Sequence, residues 1–338
     1  MELNHKVRLT APEIASLWTQ YMYDSMSICF FRYALTHLED EDTIHIYKRA
    51  LSLAESHIES CKQFFHEEGF PIPTGFTEQD VNVKAPRLFQ DPFYLYYIYI
   101  MTLHGLTGYN LSVGTSIRPD MRKYFIQCNE ETMDLFDQAM NALLEKGLFT
   151  RPPSVQPPET TSFVDKQSFL TGWFGNRRPL TVMEIGDISF NMNKMHLHVA
   201  LKVAFAQVTQ SKTIKNIVER GIRISNKHTE IFKSIFNEEQ LNSPISWQSL
   251  VTNSTTKTFS DKFIMYQIQF STQAAVGFYG AALSVNSRRD LGAHYTRLTS
   301  ELLAYAEDCA NLMIKNRWLE QPPLASDRQS LAKKKKKS

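Results

Sequence analysis

The sequence predicts an all-α protein built as a tandem duplication of one ferritin-like four-helix bundle. Three observations carry this prediction: a colinear series of repeated residues, apolar residues at helical spacing through most of the chain, and a long connection inside each half. A chain of 338 residues is long enough for two domains with ordinary cores. A hydrophobic fraction of 43% and a charged fraction of 21% are typical of a globular protein.

The duplication is visible as identical residues at a nearly constant separation. A colinear series that needs only one single-residue slip is difficult to obtain by chance. At a shift of 171 residues the identical pairs include Thr10 and Thr181, Glu13 and Glu184, Arg49 and Arg220, and His57 and His228; at a shift of 170 they include Asp91 and Asp261, Tyr109 and Tyr279, Arg118 and Arg288, and Glu131 and Glu301.

Helical periodicity predicts four helices in each copy. A Thr-x-x-Glu capping box opens the first helix of both, at Thr10 and Thr181. Asp91 is expected to cap the third helix with proline at the first helical position, and Asp261 to keep that cap. The predicted spans are 11–38, 43–67, 92–117 and 120–147 in copy one, and 182–209, 212–238, 261–287 and 290–317 in copy two.

The connection between the second and third helices is the main topological clue. It covers residues 68–91 in copy one, which is enough extended chain to run the length of a helix. A long crossover between two short-looped hairpins is the ferritin-like arrangement. An up-down-up-down bundle with a decorated loop is the alternative.

These elements divide the chain into four parts. The first bundle covers residues 8–150 and the second covers residues 180–320. A Pro- and aromatic-rich linker, residues 151–179, is expected to pack Phe169, Trp173 and Phe174 against a bundle, so that the halves are docked. Residues 321–338 form an expected flexible, Lys-rich tail.

Charge and apolar runs exclude several classes of protein. The net charge is +2 and residues 333–337 are all lysine, so the body is close to neutral and no nucleic-acid partner is expected. The N-terminus has no apolar stretch, and the longest apolar run, residues 93–103, is too short for a transmembrane segment. The four cysteines occur singly, as buried hydrophobes would. A cytoplasmic protein is expected.

Two mid-helix pairs are the candidate functional residues. A standard di-iron site needs Glu-x-x-His motifs on facing helices, and the sequence has none in a helix. His57 and Glu131, like His228 and Glu301, nevertheless fall near mid-height. A metal site for iron, manganese or zinc is one interpretation, and a buried His–Glu hydrogen bond that only fixes register is the other. The candidate ligands are His57, His104 and Glu131 in copy one, and His196, His228 and Glu301 in copy two.

Several motifs resemble those of an uncharacterised bacterial family, domain of unknown function 3231, found mainly in spore-forming Bacillus relatives. The resemblance covers about residues 8–328. It implies two tandem ferritin-like bundles, remotely similar to spore coat protein F, and an association with spores; it supplies no established activity or catalytic residue. The motifs include Leu17-Trp18, Pro71-Ile72-Pro73, Ala85-Pro86-Arg87-Leu88-Phe89, Arg288-Arg289-Asp290-Leu291 and Trp318-Leu319-Glu320-Gln321-Pro322-Pro323.

Two functional hypotheses follow. The first is a structural or interaction protein that binds a protein partner or self-associates, linked to sporulation by the family resemblance. The second is a metal-dependent or small-molecule-binding protein that uses the mid-bundle His/Glu layer. The sequence has no Gly-rich phosphate loop and no nucleophile elbow, so no catalytic residue is assigned.

Overall fold

The computed structural model describes residues 7–173 and 177–334, and most of the residues in these ranges lie in helices. The predicted bounds of the eight bundle helices agree with the structure to within three residues. The first bundle contains α1 (Ala11–Leu35), α2 (Glu41–Glu68), α3 (Asp91–Thr115) and α4 (Pro119–Glu145); the second contains α5 (Val182–Val208), α6 (Lys212–Glu238), α7 (Asp261–Val285) and α8 (Arg289–Lys315), and a short α9 (Arg328–Lys334) follows. Short 3₁₀ helices cover Glu78–Asp80, Gln167–Leu170 and Gln248–Leu250.

Both predicted capping boxes form, and their carboxylates also join helices together. Glu13 accepts a hydrogen bond from the backbone amide of Thr10 at 2.7 Å. The same carboxylate accepts from the amides of Ile117 and Arg118, at 2.9 and 2.8 Å. The start of α1 is therefore tied to the corner between α3 and α4.

The predicted caps at Asp91 and Asp261 are wrong by one position. Asp91 is the first residue of α3 and Gln90 is its N-cap. The Asp91 carboxylate is occupied elsewhere, because it accepts from the amide of Asp40 at 2.8 Å in the α1–α2 corner. In the second bundle the N-cap of α7 is Ser260, whose hydroxyl accepts from the Phe263 amide at 3.0 Å.

Contacts at the two ends of the first bundle establish its topology. At one end Arg118, at the start of α4, pairs with Glu68, at the end of α2. At the other end Lys146, just after α4, lies 2.8 Å from Asp40, just before α2, and Asp40 donates its amide to Asp91 at the start of α3. Helices α2 and α3 therefore start at the same end and run parallel. The crossover spans the bundle, as the ferritin-like prediction requires, and the up-down-up-down alternative is excluded.

The two crossovers pair with each other across the halves. Isolated antiparallel β-bridges join Val81 to Phe259 and Phe89 to Val251. Since Val81 corresponds to Val251 and Phe89 to Phe259 in the repeat, each contact has a counterpart with the halves exchanged. This reciprocity is the signature of a two-fold relation between equivalent surfaces.

A continuous apolar core crosses from one half to the other. Phe30 of α1 stacks on Phe259 of the second crossover, with ring centroids 5.9 Å apart. Tyr96 of α3 stacks on Trp247, with centroids 3.9 Å apart. The halves are therefore docked, as expected from the linker.

The linker contacts the second bundle through fewer aromatic residues than predicted. Phe169 packs within the linker, with its ring centroid 4.0 Å from the guanidinium carbon of Arg178, and Arg178 in turn pairs with Glu184 of α5. Gly172 packs so closely against Asp290 that a side chain there would overlap it. Trp173, expected to be buried, is 59% exposed, because the contact at this point is made by the backbone of Gly172.

The C-terminal segment is partly ordered. Glu320 accepts hydrogen bonds from the backbone amides of Thr74 and Gly75, at 2.7 and 2.8 Å. The predicted flexible tail contains α9, which is exposed. Phe174 and residues 335–338 lie outside the described residues. None of the helices in the described part of the chain is both long and apolar enough to cross a membrane.

Candidate metal centre

A buried polar layer crosses the middle of the first bundle, and each of the four helices contributes to it. His57 of α2 has a side chain that is only 7% exposed. Its Nε2 lies 3.2 Å from the Glu131 carboxylate of α4, and its Nδ1 lies 3.3 Å from the Asp24 carboxylate of α1. The Tyr109 hydroxyl of α3 lies 3.4 Å from the same Nδ1.

Two thiols extend this layer. Ligand atoms of His57, Cys128 and Glu131 all lie within 4.8 Å of one another. Gln20 holds the thiols in place, because its amide nitrogen lies 3.6 Å from Cys128 Sγ and its oxygen accepts from Cys61 at 3.5 Å. The layer therefore brings together nitrogen, sulfur and oxygen atoms that can bind a metal ion.

The charge of His57 depends on its neighbours. Burial alone would lower the pKa of His57, but the hydrogen bond to Asp24 and the charge of that carboxylate outweigh burial and raise the pKa. Without a metal ion the imidazole lies between two carboxylates, Asp24 and Glu131, which favour its protonated form.

The second bundle keeps only part of this layer. His228 Nε2 lies 3.0 Å from Glu301, and His228 Nδ1 lies 3.2 Å from the Tyr279 hydroxyl. Glu301 also accepts from Lys227 at 2.8 Å. Burial lowers the pKa of His228. The positions of Asp24, Cys61 and Cys128 hold Met195, Phe232 and Leu298.

Two of the predicted ligands do not join these layers. His104 of α3 faces the other half, with its ring centroid 6.3 Å from that of His198. His196 of α5 faces Trp247, with centroids 6.3 Å apart, rather than His228. Both helices are buried on several sides because they lie between the bundles. A central position on such a helix does not indicate which neighbour a side chain will face.

Sequence reasoning grouped Cys128 with the buried hydrophobes and so missed it as a candidate ligand. One signal was available: Cys128 precedes Glu131 by three residues on α4, a spacing that places both on one helix face.

The fold and this layer define a double four-helix-bundle protein of ferritin-like topology, with a mid-bundle polar centre in its first half. The chain belongs to the DUF3231 family of proteins of unknown function, whose model matches residues 1–160 and again residues 168–331.

Comparisons with other proteins give one structural likeness. A crystal structure of a Bacillus halodurans C-125 protein that bears the name "putative spore coat protein" is 22% identical, with a TM-score of 0.41, and the match covers 45% of this chain and 98% of that one. A search of curated proteins finds no significant match.

Proposed function

We propose that the first bundle binds one divalent transition-metal ion, with His57, Cys128 and Glu131 as its ligands. The observation that carries this proposal is the cluster of three ligand atoms within 4.8 Å in a buried layer. Ligands at tetrahedral angles around a zinc ion lie roughly 3.3–3.8 Å apart. Side-chain shifts of about 1 Å would therefore bring the cluster to coordination distance.

The chemistry of the ligand atoms favours zinc over iron and manganese. A thiolate with an imidazole and a carboxylate suits zinc, whereas manganese prefers oxygen ligands. Asp24 beside His57 Nδ1 resembles the carboxylate that orients a metal-bound histidine. Binding would release the imidazolium proton of His57 and the thiol proton of Cys128, so affinity should increase with pH.

The comparison between the halves supports a site in the first bundle alone. The second bundle keeps the histidine and the carboxylate but replaces Cys128 with Leu298 and Asp24 with Met195. A His–Glu hydrogen bond is sufficient to satisfy a buried polar pair. The extra thiol and carboxylate of the first bundle are therefore the residues that call for another explanation.

Metal analysis of protein purified without a histidine tag tests the proposal. After incubation with equimolar zinc and desalting, we expect one zinc per chain, and less than a tenth of that in Cys128→Ala and His57→Ala. His228→Ala is the matched control and should retain full zinc content. Cobalt should give a thiolate charge-transfer absorption that Cys128→Ala lacks. Metal-free protein with a melting temperature unaffected by zinc, iron, manganese or chelator would refute the proposal.

The shared core supports a second candidate, a structural role. The paired crossovers and the core that joins the halves fix the outer surfaces of the two bundles relative to one another. A rigid double bundle of this kind can present surfaces to a protein partner or to a second copy. A cytoplasmic location and an association with spores belong to this second proposal. Light scattering tests self-association, and fractionation of sporulating cells tests the location.

A further inference from the structure

An open groove of about 790 Å³ lies between the two halves, bounded by α1 and α3 of the first and α7 of the second. Binding sites for small molecules are typically about 300–1,000 Å³ and largely apolar. The groove has this character, because small and aromatic side chains form most of its wall. The wall includes Thr19, Gly105, Gly108, Phe270, Gly277 and Phe278.

The two halves differ in the residues that form this groove. The repeat places Phe190 at the position of Thr19 and Phe278 at that of Gly108. Those two phenyl rings contact each other, with centroids 5.0 Å apart. A side-chain carbon added at Gly108 would meet no atom of the described residues within 4 Å. The first half therefore leaves open the space that two aromatic rings occupy in the second.

Basic side chains that lack hydrogen-bond partners among the described residues lie at or just behind the inner wall of the groove. His104 lines the groove and is 7% exposed, yet both of its ring nitrogens lack a partner among the described residues. The Lys194 ammonium, also without a partner there, lies 3.5 Å from the centroid of the Phe278 ring, which separates it from the groove. His198 lies beside His104, and its Nε2 has no hydrogen-bond partner in the part of the chain that the structure describes.

These unsatisfied groups are costly. A buried donor without a partner costs about 1–3 kcal/mol. Burial lowers the pKa of Lys194 well below its ordinary value, and burial lowers that of His104 to about 3. Asp187 acts on Lys194 only over a longer distance. An anion that reached these groups would restore their hydrogen bonds and stabilise the charged amine.

We propose that the groove binds an amphiphilic carboxylate of the medium-chain fatty acid class. The hydrocarbon lies along the apolar wall, and the carboxylate reaches Lys194 and His104 after Phe278 rotates about its χ1 bond. Asp24 also lines the groove, but its carboxylate lies 3.3 Å from His57 Nδ1 in the polar layer of the first bundle. His57, Cys128 and Glu131, the proposed metal ligands, are not among the residues that line the groove.

Paired ligands and paired variants test the carboxylate and the groove separately. Binding to the full chain is measured, with chelator present, by displacement of the neutral fluorophore N-phenyl-1-naphthylamine. We expect decanoate to bind more tightly than 1-decanol. Lys194→Met should weaken decanoate by about 10- to 100-fold, as expected for a lost hydrogen bond to a charged group, and leave 1-decanol unchanged.

Two glycine variants on α3 test the location. Gly108→Phe introduces the aromatic ring that the second half has, so it should abolish binding of both ligands. Gly114→Phe is the matched control, since this exposed glycine is outside the groove, and binding should be unchanged. Circular dichroism checks that each variant is folded; if Gly108→Phe does not fold, Thr19→Phe takes its place. Equal affinity for decanoate and 1-decanol, or an unchanged decanoate affinity in Lys194→Met, would overturn the proposal.

Discussion

Replacing Glu184 with glutamine should cost about 3 kcal/mol of folding free energy at pH 7. This carboxylate is 1% exposed and joins three parts of the second bundle. It accepts from the Thr181 amide at 2.9 Å, from both terminal nitrogens of Arg178 at 2.7 and 2.8 Å, and from the Arg288 amide at 3.2 Å. The start of α5, the linker and the start of α8 therefore depend on one side chain.

The magnitude follows from the pKa of the carboxyl group. Burial alone would raise the pKa of Glu184, but Arg178 and the backbone amides lower it from 4.5 to about 2. Each pKa unit corresponds to about 1.36 kcal/mol, which gives about 3 kcal/mol for this change. Since the folded-state pKa is depressed, this stabilisation is present above pH 4.5 and is lost as the pH falls towards 2.

Urea unfolding followed by circular dichroism provides the assay, once the transition has been shown to be two-state. The difference between the wild type and Glu184→Gln should fall from about 3 kcal/mol at pH 7 to about 2 kcal/mol at pH 3.5. Glu307→Gln is the control, because Glu307 is exposed on α8; it should cost less than about 0.5 kcal/mol. A Glu184→Gln cost equal to that of the control, or one that does not change with pH, would refute the reasoning.

Four further substitutions have expected outcomes that urea unfolding can check. Lys194→Met should stabilise the protein by about 1 kcal/mol, because the removal of a buried amine that lacks a hydrogen-bond partner among the described residues outweighs the loss of its contacts with the Phe190 and Phe278 rings; a loss of stability would contradict this. Trp247→Ala should cost about 3–5 kcal/mol, because it removes the ring stacked on Tyr96 between the halves; a cost below 1 kcal/mol would mean that the stack contributes little. Gly69→Ala should cost about 1 kcal/mol, because Gly69 ends α2 at a φ of +69°. Gly280→Ala, at an exposed position five residues before the end of α7, should instead stabilise the protein by about 0.5–1 kcal/mol. The reverse order for these two glycines would contradict the backbone argument.

Features that depend on neighbouring residues could be predicted from the sequence. The capping boxes at Thr10 and Thr181 involve residues three apart, and helical periodicity placed each bundle helix to within a few residues. The lengths of the connections favoured the ferritin-like topology but left an up-down-up-down bundle open, and the contacts at the two ends of the first bundle decide between them. These features are confirmed because local hydrogen bonding and chain length determine them.

Features that depend on the packing between halves could not be predicted in the same way. The bridge from Val81 to Phe259 joins two irregular segments that carry no periodic pattern. His104 and His196 lie on helices with several buried faces, so their neighbours depend on how the halves dock. The pairing of His57 with Glu131 could be predicted from the sequence, because both residues lie on amphipathic helices whose buried faces follow from the pattern of apolar residues.

The reciprocal crossover contacts have an evolutionary consequence. In a dimer of identical subunits each residue occurs at both equivalent positions, so a glycine that opens a groove on one side opens it on the other. In this chain the equivalent positions are encoded separately, and Gly108 can coexist with Phe278. Because the halves are encoded separately, the sequence of each can change without the other, and the linker keeps the two halves at a high effective concentration. One half can supply stability for the pair while the other acquires new chemistry.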